Sequence, residues 1–246
     1  MITLGTYLDP GNSGFAEMLN GKYVDKTGLI ALINRRINTP RKLVCISRPR
    51  RFGKSYAAKM LCAYYDYTCD SHGLFDSYEI SRDSSYEANI NKYQVIYLDM
   101  TNLLEKVEPK KLIQFIKDNV ENEILSAEPD IRKGSTFDET LINAVECTGK
   151  KFVAVIDEWD APIRTAPEIF KEYLWFLRML FKSSGTTPKI FAAAYMTGIL
   201  PIKKDGSEHT GDFSYSLPEL SSLSSPFIKL SNALNSFCCR SLVASV

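Results

Sequence analysis

The segment Arg48-Pro49-Arg50-Arg51-Phe52-Gly53-Lys54-Ser55 sets Gly-Lys-Ser between an apolar run and a stretch with helical spacing. That order suits a phosphate-binding loop of the form G-x-x-x-x-G-K-[ST], except that arginine stands at position 48 where the pattern has its first glycine. The chemistry is anion capture: backbone N–H groups of such a loop, and of the helix behind it, point at phosphate oxygens, and the helix dipole favours negative charge there. In this reading Gly53 admits close approach of the backbone, Lys54 neutralises β- and γ-phosphate charge, and the Ser55 hydroxyl is a ligand for Mg²⁺. Gly-Lys-Ser is also common in ordinary loops, so it needs a context. A glycine at the strand end is replaceable where the backbone keeps a negative φ.

A second constellation supplies that context. Phe152-Val153-Ala154-Val155-Ile156-Asp157-Glu158 is an apolar strand ending in two carboxylates, the Walker B pattern. Asp157 is expected to hold Mg²⁺, and Glu158 to polarise an attacking water. Taken alone, such acids are solvated residues at a turn; the joint occurrence favours a nucleotide site, because ligands of open α/β sheets collect at the carboxyl ends of strands. A third apolar run, Ile190 to Met196, leads into Thr197-Gly198, where a hydroxyl either senses a γ-phosphate or merely begins a turn.

The elements that must position these groups follow from apolar patterning. Leu43 to Ser47, Val95 to Asp99, Phe152 to Asp157 and Ile190 to Met196 are unbroken apolar runs rather than alternating ones, as in parallel strands covered on both faces. Thr27 to Ile37 and Lys54 to Tyr67 have helical spacing. Pro109 suits the first turn of a helix running through Ile124, and Pro167 one running to about Ser183. Strands alternating with helices predict an α/β fold.

Composition narrows the classes further. The 246 residues are 45% hydrophobic and 24% charged, with 30 basic and 29 acidic side chains and a net charge of +1. That balance does not support nucleic-acid binding by overall charge. No apolar stretch approaches the roughly 20 residues of a membrane helix. The cysteines show no CxxC pair, and His72 and His209 complete no zinc spacing. A soluble, reduced, cytoplasmic protein is expected, with Cys45 and Cys62 as small core residues.

Tyr23-Val24-Asp25-Lys26-Thr27, Ser47 to Ser55, Val155-Ile156-Asp157-Glu158-Trp159-Asp160-Ala161-Pro162 and Thr197-Gly198-Ile199-Leu200-Pro201-Ile202 together resemble the predicted AAA-ATPase-like family. The likeness runs from about Ala16 to Lys204 and includes the arginine at position 48, so the absent glycine belongs to the resembled pattern. It implies an ATP-binding P-loop domain with the Walker B and sensor strands in one parallel sheet. In that family the ATPase domain is commonly followed by a PD-(D/E)xK nuclease-like domain. Beyond Lys204 this sequence shows neither the family pattern nor an Asp…Glu-x-Lys constellation, so nuclease activity is not carried over.

The expected fold is therefore an α/β P-loop NTPase of the additional-strand class over residues 1–204, with a Ser-rich tail over 205–246. A last strand at Phe227 to Leu230, a flexible end, or the end of an incomplete or altered reading frame all suit that tail. The expected ligands are ATP and Mg²⁺. Arg48, Pro49, Arg50, Arg51, Phe52, Gly53, Lys54, Ser55 and Thr197 would bind the nucleotide, Ser55 and Asp157 the metal, and Lys54 and Glu158 would be catalytic. Arg48, Arg50 and Arg51 either embrace the γ-phosphate, face a protein partner, or form a solvated loop. Asp25 lies near the base or Thr27 caps a helix, or the stretch is simply a helix start. Asp160 and Arg164 are expected to pair structurally, and the aromatics Tyr173, Trp175, Phe176 and Phe181 to pack a helix on the sheet. Three functional readings stand: a Mg²⁺-dependent ATPase, a nucleotide-gated interaction module with little hydrolysis, and the ATPase part of a nucleic-acid-processing system.

Overall fold

The computed structural model describes residues 5–21 and 23–200, and the backbone of 227–229. The apolar runs become strands β1 (Leu43–Ser47), β2 (Gln94–Asp99), β3 (Phe152–Asp157) and β4 (Phe191–Gly198), and a short β5 (Phe227–Lys229) joins them. Every pairing between these five strands is parallel and the order across the sheet is β2-β3-β4-β1-β5. The fold is thus a parallel α/β sheet of the P-loop kind. β4 is the additional strand, inserted between the strand that precedes the loop and the strand that ends in acids.

Parallel strands require crossovers, and helices supply them. Before β1 stand α1 (Ser13–Leu19) and α2 (Gly28–Asn34); between the strands run α3 (Lys54–Tyr65), α4 (His72–Phe75), α5 (Tyr86–Asn89), α6 (Met100–Lys106), α7 (Leu112–Ala127), α8 (Phe137–Thr148), α9 (Ala161–Thr165), α10 (Phe170–Lys182) and α11 (Thr187–Ile190). Alternate residues of each strand face opposite ways. Val44, Val95, Val153 and Tyr195 enter one core with α1, α2 and α3. Leu43, Ile96, Ala154 and Met196 enter the other with α7, α8 and α10. Both sheet faces are therefore dry, which is why the runs are continuous. Each such buried Val, Leu or Ile side chain contributes roughly 1.5–3 kcal/mol.

The element ends differ from the sequence expectations in instructive ways. Pro109 and Pro167 open short 3-10 turns, Pro109–Lys111 and Pro167–Ile169, and the α-helices proper begin at Leu112 and Phe170. A proline lacks the N–H that a continuing helix needs but suits such a first turn. α8 was not anticipated; Thr136 caps it by accepting from the Glu139 N–H at 3.4 Å, and Gly149 ends it at φ 70°. Ile190 belongs to α11, while β4 continues through Thr197 and Gly198 because both pair in register with Ile46 and Ser47 of β1.

Cys45 and Cys62 are buried, as expected of core residues. Tyr173, Phe176 and Phe181 are buried on α10, but Trp175 is 59% exposed, with the Lys117 ammonium 5.8 Å from its ring centroid. Of the alternatives for the tail, the strand is seen over Phe227–Lys229 as β5, paired with Leu43 to Cys45 of β1. The remainder of the expected tail, 205–246, lies outside the described residues. Among the described residues no helix is long and apolar enough to cross a membrane.

Candidate nucleotide site

The parallel register brings the carboxyl ends of β1, β4 and β3 to one edge of the sheet. Between β1 and α3 the chain turns back on itself. The Arg48 N–H donates to the Gly198 carbonyl at 3.0 Å, and the Ser47 hydroxyl donates to the Leu200 carbonyl at 2.7 Å. Lys54, 8% exposed, reaches back to the start of its own loop and donates to the carbonyls of Arg48 and Pro49, both at 3.2 Å. The loop therefore closes around a buried ammonium, leaving the first N–H groups of α3 at its mouth.

Backbone angles explain the variant first position. Gly53 takes φ 70°, the left-handed region that glycine enters without a steric cost. Arg51 also has φ 70°, whereas Arg48 is absent from the positive-φ residues. The loop places its left-handed turns at 51 and 53, so position 48 has no conformational need for glycine. Arg50, Arg51 and Phe52 are exposed, and Arg48 is half-buried.

At the end of β3, Asp157 is 1% exposed and lies beside the Ser55 hydroxyl. Burial holds its carboxyl above the usual carboxylate range; the Ser55 hydroxyl opposes this, and the charges of Asp99 and Glu158 add to it. Asp99 is its register partner on β2. Its own carboxylate is turned to α6, accepting from the N–H groups of Thr101 and Asn102 at 3.1 and 3.0 Å.

Glu158 leaves the strand at φ 49°, a left-handed conformation that costs a non-glycine residue roughly 1–2 kcal/mol. The twist directs its carboxylate between two cations. Oε1 lies 3.3 Å from the Lys54 ammonium and Oε2 2.9 Å from Arg164 Nη2. Arg164 in turn donates from Nε to Asp160 at 3.0 Å, so the expected Asp160–Arg164 pair is present.

Asp160 does more than that pair requires. It is wholly buried and also accepts from the backbone N–H groups of Ile199, at 3.2 Å, and Leu200, at 2.9 Å. It thus ties the helix start after β3 to the chain leaving β4. Gly198 makes the close approach possible, since a Cβ there would sit 2.5 Å from Asp160 Oδ1 and 2.7 Å from Trp159 Nε1. Thr197 lies inside the strand and is fully buried, and its hydroxyl has no hydrogen-bond partner among the described residues.

Lys54, Ser55, Asp157 and Glu158 therefore converge by direct contact, Thr197 lies one strand away within the sheet, and Arg50, Arg51 and Phe52 form the exposed rim. The Ser55 hydroxyl and the Asp157 carboxylate, neighbouring oxygen donors, fit a small hard cation. Two groups escaped the sequence reading. One is the Asp160 clamp on Ile199 and Leu200, which has no local sequence signal. The other is Lys26, whose ammonium donates to the Phe52 carbonyl at 3.2 Å. Asp25-Lys26-Thr27 is a helix start, with α2 beginning at Gly28, and Thr27 makes no capping side-chain bond. Asp25 accepts from the Thr27 N–H and hydroxyl at 2.8 and 2.7 Å and from the Glu79 N–H at 3.0 Å. The Thr27 hydroxyl accepts from the Ile80 N–H at 3.2 Å.

No curated protein matches the chain. The family model described as predicted AAA-ATPase matches residues 11–207, a span that contains the loop, the acid pair, Thr197 and the Asp25-Lys26-Thr27 turn. With a parallel sheet that brings those motifs to one edge, the chain belongs to the predicted AAA-ATPase-like family.

Proposed function

We propose that the chain binds ATP with Mg²⁺ at the edge formed by β1, β3 and β4 and hydrolyses it, coupling turnover to a conformational or partner-binding event. The observation that carries this reading is the Lys54 ammonium. It is held at 3.2 Å by two carbonyls of its own loop and at 3.3 Å by Glu158, beside the Ser55–Asp157 pair. A buried cation at the mouth of a loop, with N–H groups of a following helix, is an anion cradle.

In the reaction the loop N–H groups and Lys54 bind the phosphates and oppose the charge that grows on them. Ser55 and Asp157 would hold Mg²⁺, which when bound neutralises phosphate charge. Glu158 would hold the attacking water. In the structure its Oε1 faces Lys54, so capture of Lys54 by phosphate oxygens frees that oxygen, while Arg164 keeps the other anchored at 2.9 Å. The Thr197 hydroxyl, fully buried and unpartnered among the described residues, would meet a γ-phosphate once the end of β4 admits one. A partner driven by turnover would read the exposed rim of Arg50, Arg51 and Phe52.

The experiment is a nucleotide titration and a phosphate-release assay with Mg²⁺. Lys54→Ala is expected to abolish binding or turnover, and Glu158→Gln to retain ATP binding and lose hydrolysis. Purified protein that binds no ATP at millimolar nucleotide overturns the reading. Tight binding with negligible turnover in the unaltered chain would favour the nucleotide-gated interaction module instead.

A further inference from the structure

From the geometry around Gly53 we infer that Lys26 is a second cation of the phosphate site, meeting the nucleotide's phosphate chain at the opposite end of the loop from Lys54. The inference rests on the nucleotide-binding reading and adds a residue to it. Lys54 is bound to the loop's first carbonyls, those of Arg48 and Pro49, at 3.2 Å. Lys26 is bound to its last carbonyl before the glycine, that of Phe52, also at 3.2 Å. The two ammonium groups thus bracket the loop from Arg48 to Phe52.

The Lys26 ammonium lies against Gly53, 2.7 Å from where a Cβ would stand, and the left-handed φ of that residue is what calls for glycine. The backbone that carries it is held in place: the Lys26 N–H donates to the Tyr23 hydroxyl at 3.4 Å, and its carbonyl accepts from the Leu29 N–H at 3.0 Å. The neighbouring Asp25, the nearest carboxylate in sequence, has both oxygens engaged by Thr27 and Glu79. Among the described residues no carboxylate forms an ion pair with Lys26.

The magnitudes argue against a mere strut. Ordering a lysine side chain costs about 1.5–2 kcal/mol of rotamer freedom. One hydrogen bond from a charged donor returns about 1.5–3 kcal/mol, less at an exposed site. The two terms about cancel, so the Phe52 contact alone adds little to stability. An ammonium has three donors, and phosphate oxygens at the loop mouth would take the others in short, charge-assisted bonds.

The test is titration of the full chain with a fluorescent ATP analogue and Mg²⁺ over a range of salt, comparing wild type, Lys26→Gln, Lys26→Arg and Lys54→Ala. Gln keeps an N–H donor for the Phe52 carbonyl and removes the charge, whereas Arg keeps the charge. Lys26→Gln should weaken binding about 10-fold and flatten its salt dependence, with Lys26→Arg within about 2-fold of wild type. As a check that needs no variant to fold, MgATP should slow acylation of Lys26 in the wild-type chain, read by mass spectrometry. If Lys54→Ala loses binding while Lys26→Gln matches wild type at every salt, or MgATP leaves acylation of Lys26 unchanged, the nucleotide site stands and the role of Lys26 falls. A wild-type chain that binds no nucleotide overturns both.

Discussion

Removing the Asp160 carboxylate is the sharpest perturbation of how the site is tied to the rest of the sheet. The side chain is wholly buried and accepts from Ile199 N at 3.2 Å, Leu200 N at 2.9 Å and Arg164 Nε at 3.0 Å. In Asp160→Ala the guanidinium keeps Glu158 at 2.9 Å and is 23% exposed, so it is not stranded and its share of the loss is small. The two backbone donors are part-buried, and bonds to a charged acceptor are worth about 1.5–3 kcal/mol each. A destabilisation of about 3 kcal/mol is expected, near the lower end of the range for breaking a buried charged pair. For a domain of this size that lowers Tm by about 6–12 °C. Urea unfolding and calorimetry would measure it. Because Ser47 and Arg48 bond to Leu200 and Gly198, nucleotide binding should weaken with stability. An Asp160→Ala protein within about 1 kcal/mol of wild type would refute the claim that this carboxylate holds the chain leaving β4.

Three further outcomes follow from the geometry. Thr197→Val replaces a buried hydroxyl without a partner among the described residues, so urea unfolding should show unchanged or slightly higher stability while phosphate release falls. Gly53→Ala meets both φ 70° and the Lys26 ammonium at 2.7 Å, so it should cost about 1–2 kcal/mol and impair ATP binding in the same titration. Asp9 is 4% exposed and its carboxyl is pushed up to about 8 from 3.8, first by burial and then by the charge of Asp66, with the Val95 N–H opposing. Between those values the native state keeps a proton that the unfolded chain has lost, so stability is fully present below the lower value and falls as pH rises toward 8. Asp9→Asn, which retains an acceptor for the Val95 N–H and tolerates the left-handed φ of 46°, should flatten that decline; thermal melts at pH 5 and 8 compare the two.

How legible the protein was depended on the range of the interactions. β1 and β3 match their apolar runs residue for residue, because a strand buried on both faces writes its burial into consecutive positions. β4 was displaced: Ile190 was taken into α11 and Thr197 and Gly198 into the strand, since pairing with Ile46 and Ser47 outweighs the local turn signal of a glycine. α8 has its cap, Thr136, and its left-handed terminator, Gly149, in the sequence, but a cap and a terminator alone do not set a helix apart from a loop. Trp175 shows the reverse error, an aromatic on a helix that faces out.

The chain order of motifs by itself determined the class of chemistry. Gly53-Lys54-Ser55 after a strand, and Asp157-Glu158 ending another, specify residue types whose charges and lone pairs suit phosphate and a hard cation wherever the fold lets them meet. Only the tertiary structure decided which groups meet. The order β2-β3-β4-β1-β5 put Thr197 between the loop strand and the acid strand. The left-handed turn at Glu158 aimed it between Lys54 and Arg164. Asp160 found Ile199 and Leu200, and Lys26 found Phe52, across sequence gaps that carry no periodic signal. Apolar burial is encoded locally by repetition along an element, whereas a hydrogen bond between distant loops depends on where the packed sheet delivers each end.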